Sequence, residues 1–207
     1  MVSEEEQEMS SRDLILSRLR EVRPARRPLP QVPMFDANLP PAVDTFRASL
    51  ARLGGTWCAL PERTSLDAFI RSRFPGASVF CSATPEFDGN RDLAAIDDPR
   101  ALNDVDVGIV RPAFAVSETG SIWLSETEYN VNALGYLSQH LVALLDPADI
   151  VGNLHHAYHR NEFFAANYAV LMSGPSATAD IEGVLVRGAQ GVRSLTVIPV
   201  PRPVTTR

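Results

Sequence analysis

The chain has 207 residues, and 19 basic side chains against 25 acidic ones leave a net charge of −6 with histidine neutral. All the basic residues are arginine, so a lysine Schiff base and a Walker-type P-loop are both excluded. The acidic balance argues against a nucleic-acid binder, and two distant cysteines, Cys58 and Cys81, cannot alone hold a four-cysteine zinc site or an iron–sulfur cluster.

Residues 1–9 read as a disordered acidic tip with no apolar h-region, so no signal peptide is expected. The longest apolar runs are five or six residues, too short to span a membrane, and a cytoplasmic protein is the expectation. Ser10 or Ser11 can cap a helix carrying Leu14, Ile15, Leu19 and Val22 on one stripe. Six prolines in residues 24–41 demand an extended strap. Residues 1–41 therefore read as tip, helix and strap, and 42–207 as the main domain.

In that domain Val43, Phe46, Leu50 and Leu53 fall at helical spacing, and Gly54-Gly55 supplies the stop. A strand is expected over Thr56–Leu60, and a helix over Thr64–Phe74 with Leu66, Phe69, Ile70 and Phe74 inward. Further strands are expected at Ser78–Cys81, Val105–Val110, Ala113–Val116 and Ser121–Leu124. The apolar run Leu141–Leu145 marks a strand buried on both faces. Asp146 can cap and Pro147 open a helix over about 147–162. Tyr168–Met172 and Leu195–Val200 complete the sheet. The alternation is that of an α/β fold, a sheet with helices on its faces.

Open α/β sheets bind ligands at the carboxyl ends of their strands, and two segments are expected there. In Ser117-Glu118-Thr119-Gly120, followed by Ser121, a carboxylate stands beside a glycine that lets a substrate approach the backbone. Glu118 is the candidate nucleophile or general base, with Ser117, Gly120 and Ser121 as ligand-binding neighbours. In residues 173–182 a strand is expected to pass through Gly174-Pro175 into a capped helix start. Its backbone N–H groups, with the Ser176 and Thr178 hydroxyls, could hold a carboxylate or phosphate, and Asp180 and Glu182 could bond a hydroxyl. The plain alternatives are a β-turn and a helix cap. His155 and His159, four apart on the expected helix near His156 and Glu162, are weak metal candidates, a solvated face being the simpler reading. His140 reads as structural or pocket-lining, Trp57 and Trp123 as core, and Arg111, Arg187 and Arg193 as surface, although one of the three could face the pocket and bind a carboxylate.

Three segments carry a family resemblance. SGPSATADIEGVLVRGAQGVRSLTVIPV at 173–200 resembles the closing signature of the lactate utilisation protein C family, or LUD domain. SETGSIWL at 117–124 is similar to that family's Glu-x-Gly turn and following strand, and QHLVALLDPADIVGNLHHAY at 139–158 to its central strand and helix. Gln190-Gly191-Val192 stands where relatives often carry His-Gly-Pro. The resemblance spans roughly residues 42–200. It implies a three-layer, mostly parallel sheet flanked by helices, of the NagB/RpiA/CoA-transferase-like kind.

The resemblance also implies a role in oxidising L-lactate to pyruvate beside iron–sulfur partner subunits. No cofactor is then expected in this chain, the clusters belonging to the partners. Class I CoA-transferases carry a Ser-Glu-Asn-Gly turn with a nucleophilic glutamate; SETG is similar, with Thr119 for the asparagine. Two alternatives stand beside the accessory role: an independent enzyme acting on a CoA thioester or sugar phosphate through Glu118, or a small-carboxylate binding or sensor module.

Overall fold

The structure, a computed structural model, describes residues 10–24 and 27–202; the expected acidic tip, residues 1–9, lies outside them. The chain divides into two compact units, Met1–Pro33 and Met34–Arg207. In the first, α1 (Ser11–Glu21) is capped by Ser10, whose Oγ accepts from the Asp13 N–H at 3.2 Å.

The second unit contains α2 (Ala42–Arg52), β1 (Thr56–Trp57), α3 (Leu66–Arg73), β2 (Phe80–Ser82), β3 (Val107–Val110), β4 (Phe114–Val116) and β5 (Ser121–Ser125). There follow α4 (Glu126–Tyr129), α5 (Leu134–Leu137), β6 (His140–Leu145), β7 (Ile150–Val151), α6 (Leu154–Tyr158), α7 (Asn161–Ala165), β8 (Ala169–Met172), β9 (Ala177–Thr178), β10 (Val186–Arg187) and β11 (Ser194–Pro199). Residues 34–41, read from sequence as the end of the strap, belong to this unit. Asn153 Nδ2 donates to the carbonyls of Met34 and Phe35 at 2.8 and 3.2 Å.

The main sheet is parallel throughout, in the order β1-β11-β6-β3-β2. Its central strand β6 is the apolar run singled out above. Leu141, Ala143 and Leu145 point into one cluster with Phe46 and Leu50 of α2, while Val142 and Leu144 point into another with Ile70 of α3. Alternation along one strand thus fills two layers, each fully buried leucine contributing about 1.5–3 kcal/mol. The protein is α/β, with a mostly parallel sheet between helical layers, as the residue pattern requires.

The strands do not all join one sheet. A second sheet, β7-β4-β5-β8, pairs β4 with β5 and β5 with β8 antiparallel, and β4 with β7 parallel. The link between β4 and β5 is four residues, far too short for a parallel crossover, so it must be a hairpin. Ile122 and Leu124 of β5 face the α2 layer. Trp123, on the opposite face, stacks between Phe114 and Phe163 with ring centroids 5.3 and 4.6 Å away. Trp57 is half-buried against the first cluster.

Two expected helices are corrected. The helix over 147–162 is instead a single 3-10 turn at Pro147–Asp149, then β7, α6 and α7. Val151 is drawn into β7 because its carbonyl accepts the Ser117 N–H at 2.9 Å, and Asn153 then caps a fresh helix start through the His156 N–H. After Gly174-Pro175 no helix begins: β9 and β10 form an antiparallel hairpin.

Candidate functional site

The Ser117–Gly120 turn joins β4 to β5, in the second sheet, so it does not stand at the carboxyl edge of the parallel one. Most of its polar atoms are already committed. Ser117 Oγ donates to the Gly152 carbonyl at 2.6 Å, and Ser121 Oγ bonds both Thr119 Oγ1 at 2.7 Å and Ser173 Oγ at 2.5 Å. Both serines are buried. Gly120 has φ 65°, and a Cβ there would lie 2.4 Å from the Leu50 backbone nitrogen. Its missing side chain makes room for α2, not for a substrate.

Glu118 is the exposed member of the turn. Its backbone is pinned: the N–H donates to the Gly152 carbonyl, and its own carbonyl accepts from Ser49 Oγ. One carboxylate oxygen, Oε2, accepts the Leu154 N–H at 3.1 Å, at the start of α6. The side chain borders a cavity of about 560 Å³ that also holds Ser49, Arg52, Phe35 and His155. Arg52 Nη2 reaches Ser49 Oγ at 3.3 Å, and the Phe35 ring lies 4.8 Å from the His155 ring. One guanidinium, one carboxylate and one imidazole around an apolar wall suit the orientation of a small polar acid.

The 173–182 segment forms a different surface. Gly174 has φ 77°, and a Cβ there would sit 2.4 Å from the Leu53 carbonyl oxygen, again at α2. Ser176 is tied by its N–H to the Val192 carbonyl and by its carbonyl to the Gly188 N–H. Gly174, Pro175 and Ser176 border a separate cavity of about 310 Å³ with Tyr136, Gln190 and Gly191. Thr178 is paired with Val186 in the hairpin. Asp180 and Glu182 are exposed beyond it, Glu182 in the left-handed region at φ 54°. The helix N-terminus expected to hold an anion here does not exist. The structure joins the two segments through Ser121 and Ser173, and against α2, but not around one pocket.

The weak metal candidates His155 and His159 lie at and just beyond the short helix α6. α6 ends at Tyr158, His159 caps it with Nδ1 2.8 Å from the His155 carbonyl oxygen, and Glu162 pairs with Arg160 at 2.8 Å. Among the described residues no three His, Cys, Asp or Glu side chains are placed to hold a metal ion. His140 begins β6 at the amino edge of the parallel sheet, with Nδ1 2.8 Å from Ser194 Oγ. It borders a cavity of about 470 Å³ with Arg73, Asp106 and Arg193. Burial, then the nearby Arg193 charge, holds its pKa below the ordinary histidine value.

The model of the family described as LUD domain matches residues 67–200, well over half of the chain. The chain belongs to the LUD domain family. The crystal structure of a DUF162 family protein from Deinococcus radiodurans superposes with a TM-score of 0.55, over 82% of this chain and 99% of that one. At 16% identity that likeness speaks for the fold alone. A comparison with curated proteins gives no match. The LUD-domain match takes in the parallel sheet apart from its edge strand β1, the second sheet, Glu118 and the 173–182 segment, and begins after α2 and β1.

Two arginines were misjudged or missed in the sequence. Arg52 stands in the Glu118 cavity, and only its place on the last turn of α2 could have suggested it. Arg111, expected at the surface, has a side chain only 9% exposed and pairs with Glu86. It directly follows β3, where the rule of strand carboxyl ends points.

Proposed function

We propose that this LUD-domain chain is a non-redox component of an L-lactate utilisation system, acting with iron–sulfur partner subunits that oxidise lactate to pyruvate. The observation that carries this reading is the LUD-domain match over residues 67–200. The thiols are in keeping with it. Both cysteines are free, Cys81 lies buried in β2, and burial pushes its thiol up to about 11. Two cysteines do not supply the four thiolates of a cysteine-ligated cluster, and on this reading the clusters belong to the partners. The Arg52–Glu118–His155 cavity offers recognition groups for a hydroxy acid.

The test is capture of the tagged chain from its native host. Co-purification of iron–sulfur proteins, with their visible absorption, and loss of growth on L-lactate after deletion are the expected results. Normal growth on lactate after deletion would overturn the reading.

A second reading takes Glu118 as an acyl acceptor in an independent CoA-thioester enzyme. It is favoured by the placement of Glu118, exposed and bordering a cavity with one carboxylate oxygen uncommitted. Turnover of acyl-CoA with an acceptor acid by the pure chain, abolished in Glu118→Gln, is its expected outcome; no turnover in the wild type eliminates it.

A further inference from the structure

Three strands of the parallel sheet deliver polar side chains to one crevice at their carboxyl ends. β2 runs on into Thr84 and Glu86, β3 into Arg111, and β11 through Val200 to Arg202. Thr127 and Glu128 of α4 face them across a cavity of about 510 Å³. This is the edge at which α/β sheets hold their ligands.

Most polar groups around this crevice are satisfied. Arg202 Nε donates to Asp149 at 2.7 Å and its Nη2 to the Pro112 carbonyl at 2.9 Å. Glu128 Oε2 accepts from the Ser125 N–H at 2.7 Å and from Ser125 Oγ at 2.6 Å. Arg111 is different. Its Nη1 donates to the Val200 carbonyl at 3.0 Å, and its Nε lies 2.5 Å from Glu86 Oε1. That approach is too bent to be a hydrogen bond, and Nη2 has no partner at all. Glu86 Oε2 and Thr84 Oγ1 are likewise buried without partners.

A guanidinium binds carboxylate best as a fork, with Nε–H and Nη2–H donating in parallel to the two oxygens. Glu86 approaches with one oxygen and from the side, so the fork is left unmade while its donors are withdrawn from water. Buried donors and acceptors without partners are costly, and three residues in this state at one strand edge call for a common cause. We infer that this crevice binds a small carboxylic acid, and that Glu86 stands in for the ligand's carboxylate on Arg111.

The ligand's two carboxylate oxygens take Nε and Nη2 of Arg111. Glu86, already 21% exposed, turns outward to water with its loop. Thr84 Oγ1, buried without a partner on the same crevice, is a further hydroxyl that a polar substituent of such an acid can bond, as the hydroxyl of a 2-hydroxy acid would. The ligand class follows from Arg111 and Thr84 and does not depend on the lactate reading.

Calorimetric titration of the full chain with acetate, L-lactate, pyruvate and inorganic phosphate tests it. The carboxylates are expected to bind saturably, lactate or pyruvate more tightly than acetate, and phosphate weakly. Glu86→Gln, which removes the competing anion, tightens carboxylate binding about tenfold. Arg111→Lys, whose ammonium cannot form the fork, weakens it about tenfold. Opposite shifts from two partners of one ion pair are not what a purely structural pair produces. Should Arg111→Lys fail to fold, thermal melts of Glu86→Gln carry the test: added lactate raises its Tm more than that of the wild type. No carboxylate binding by either the wild type or Glu86→Gln overturns the inference, as does weaker binding by Glu86→Gln. Phosphate binding as tight as carboxylate overturns the ligand class. Loss of binding in Arg52→Gln with retention in Arg111→Lys moves the ligand to the Glu118 cavity and overturns the assignment of this site.

Discussion

At the amino end of the parallel sheet, Asp106 accepts the Ser78 and Val79 N–H groups at 2.7 and 2.9 Å, and His140 bonds Ser194. At the carboxyl end of the same strands, Arg111, Glu86 and Thr84 hold buried polar atoms with no partner. The two edges share their strands and their spacing, so the contrast is not a consequence of architecture. Satisfied polar groups at the amino edge fasten loops to the sheet. Unsatisfied ones at the carboxyl edge are tolerated at a cost in stability, which a ligand or a role must offset.

The largest expected effect breaks that carboxyl-edge pair. Glu86→Gln leaves the Arg111 charge buried and unpaired, and urea denaturation should show a loss of about 3 kcal/mol. The double variant Glu86→Gln/Arg111→Met should recover much of it, because replacing a whole buried pair by apolar groups is often close to neutral.

At the amino edge, Asp106→Asn should cost about 2 kcal/mol at neutral pH, since two hydrogen bonds lose their charge assistance. The backbone N–H groups of Val79 and Ser78 hold the Asp106 pKa below the ordinary carboxylate range. The carboxylate's stabilisation is therefore complete above about pH 4 and is lost as pH falls through the lowered value. The gap between wild type and variant in urea melts should close as pH falls below the ordinary carboxylate range.

His140→Gln should have a smaller effect, confined to mild acid. The folded chain holds the His140 proton less tightly than the unfolded chain does. Around pH 6 the unfolded state therefore binds more protons, and stability rises with pH through that region. The variant should show a flatter profile between about pH 5 and 7, by thermal melts in matched buffers. The smallest change affects reactivity alone. Cys58 should react with a thiol reagent in the folded protein, and Cys81, buried in β2 with its thiol pushed up to about 11, only on unfolding.

Much of the fold was legible because its signals are local. The apolar run of β6, the spacing of Phe46 and Leu50, and the Ser10 cap each depend on a few neighbouring residues. The departure of β4 and β5 from the parallel sheet is legible in principle, since the four residues between them cannot carry a parallel crossover. The helix over 147–162 failed for a non-local reason: the Val151 carbonyl is claimed by Ser117, more than thirty residues earlier. Glu118, the candidate nucleophile or base in sequence, is the exposed group of its turn in the structure, whereas the glycines beside both loops answer to α2. Arg111 could not be told apart from Arg187 and Arg193, because its condition depends on residues 86, 111 and 200 together, and an arginine after a strand ordinarily faces water.

The seating of α2 against Gly120 and Gly174 bears on where this domain can be cut. The LUD-domain match starts at residue 67, yet both glycine turns within it close on backbone atoms of residues 49–53. A fragment beginning at residue 67 would lose Phe46 and Leu50 from the core, lose β1 from the edge of the sheet, and bare two turns shaped to fit a helix no longer there. Truncation at the family boundary should therefore yield an unfolded or aggregating product, while one starting at Met34, which loses only α1 among the helices, should still unfold in a single cooperative thermal transition. The unit of recognition in sequence is shorter than the unit of folding.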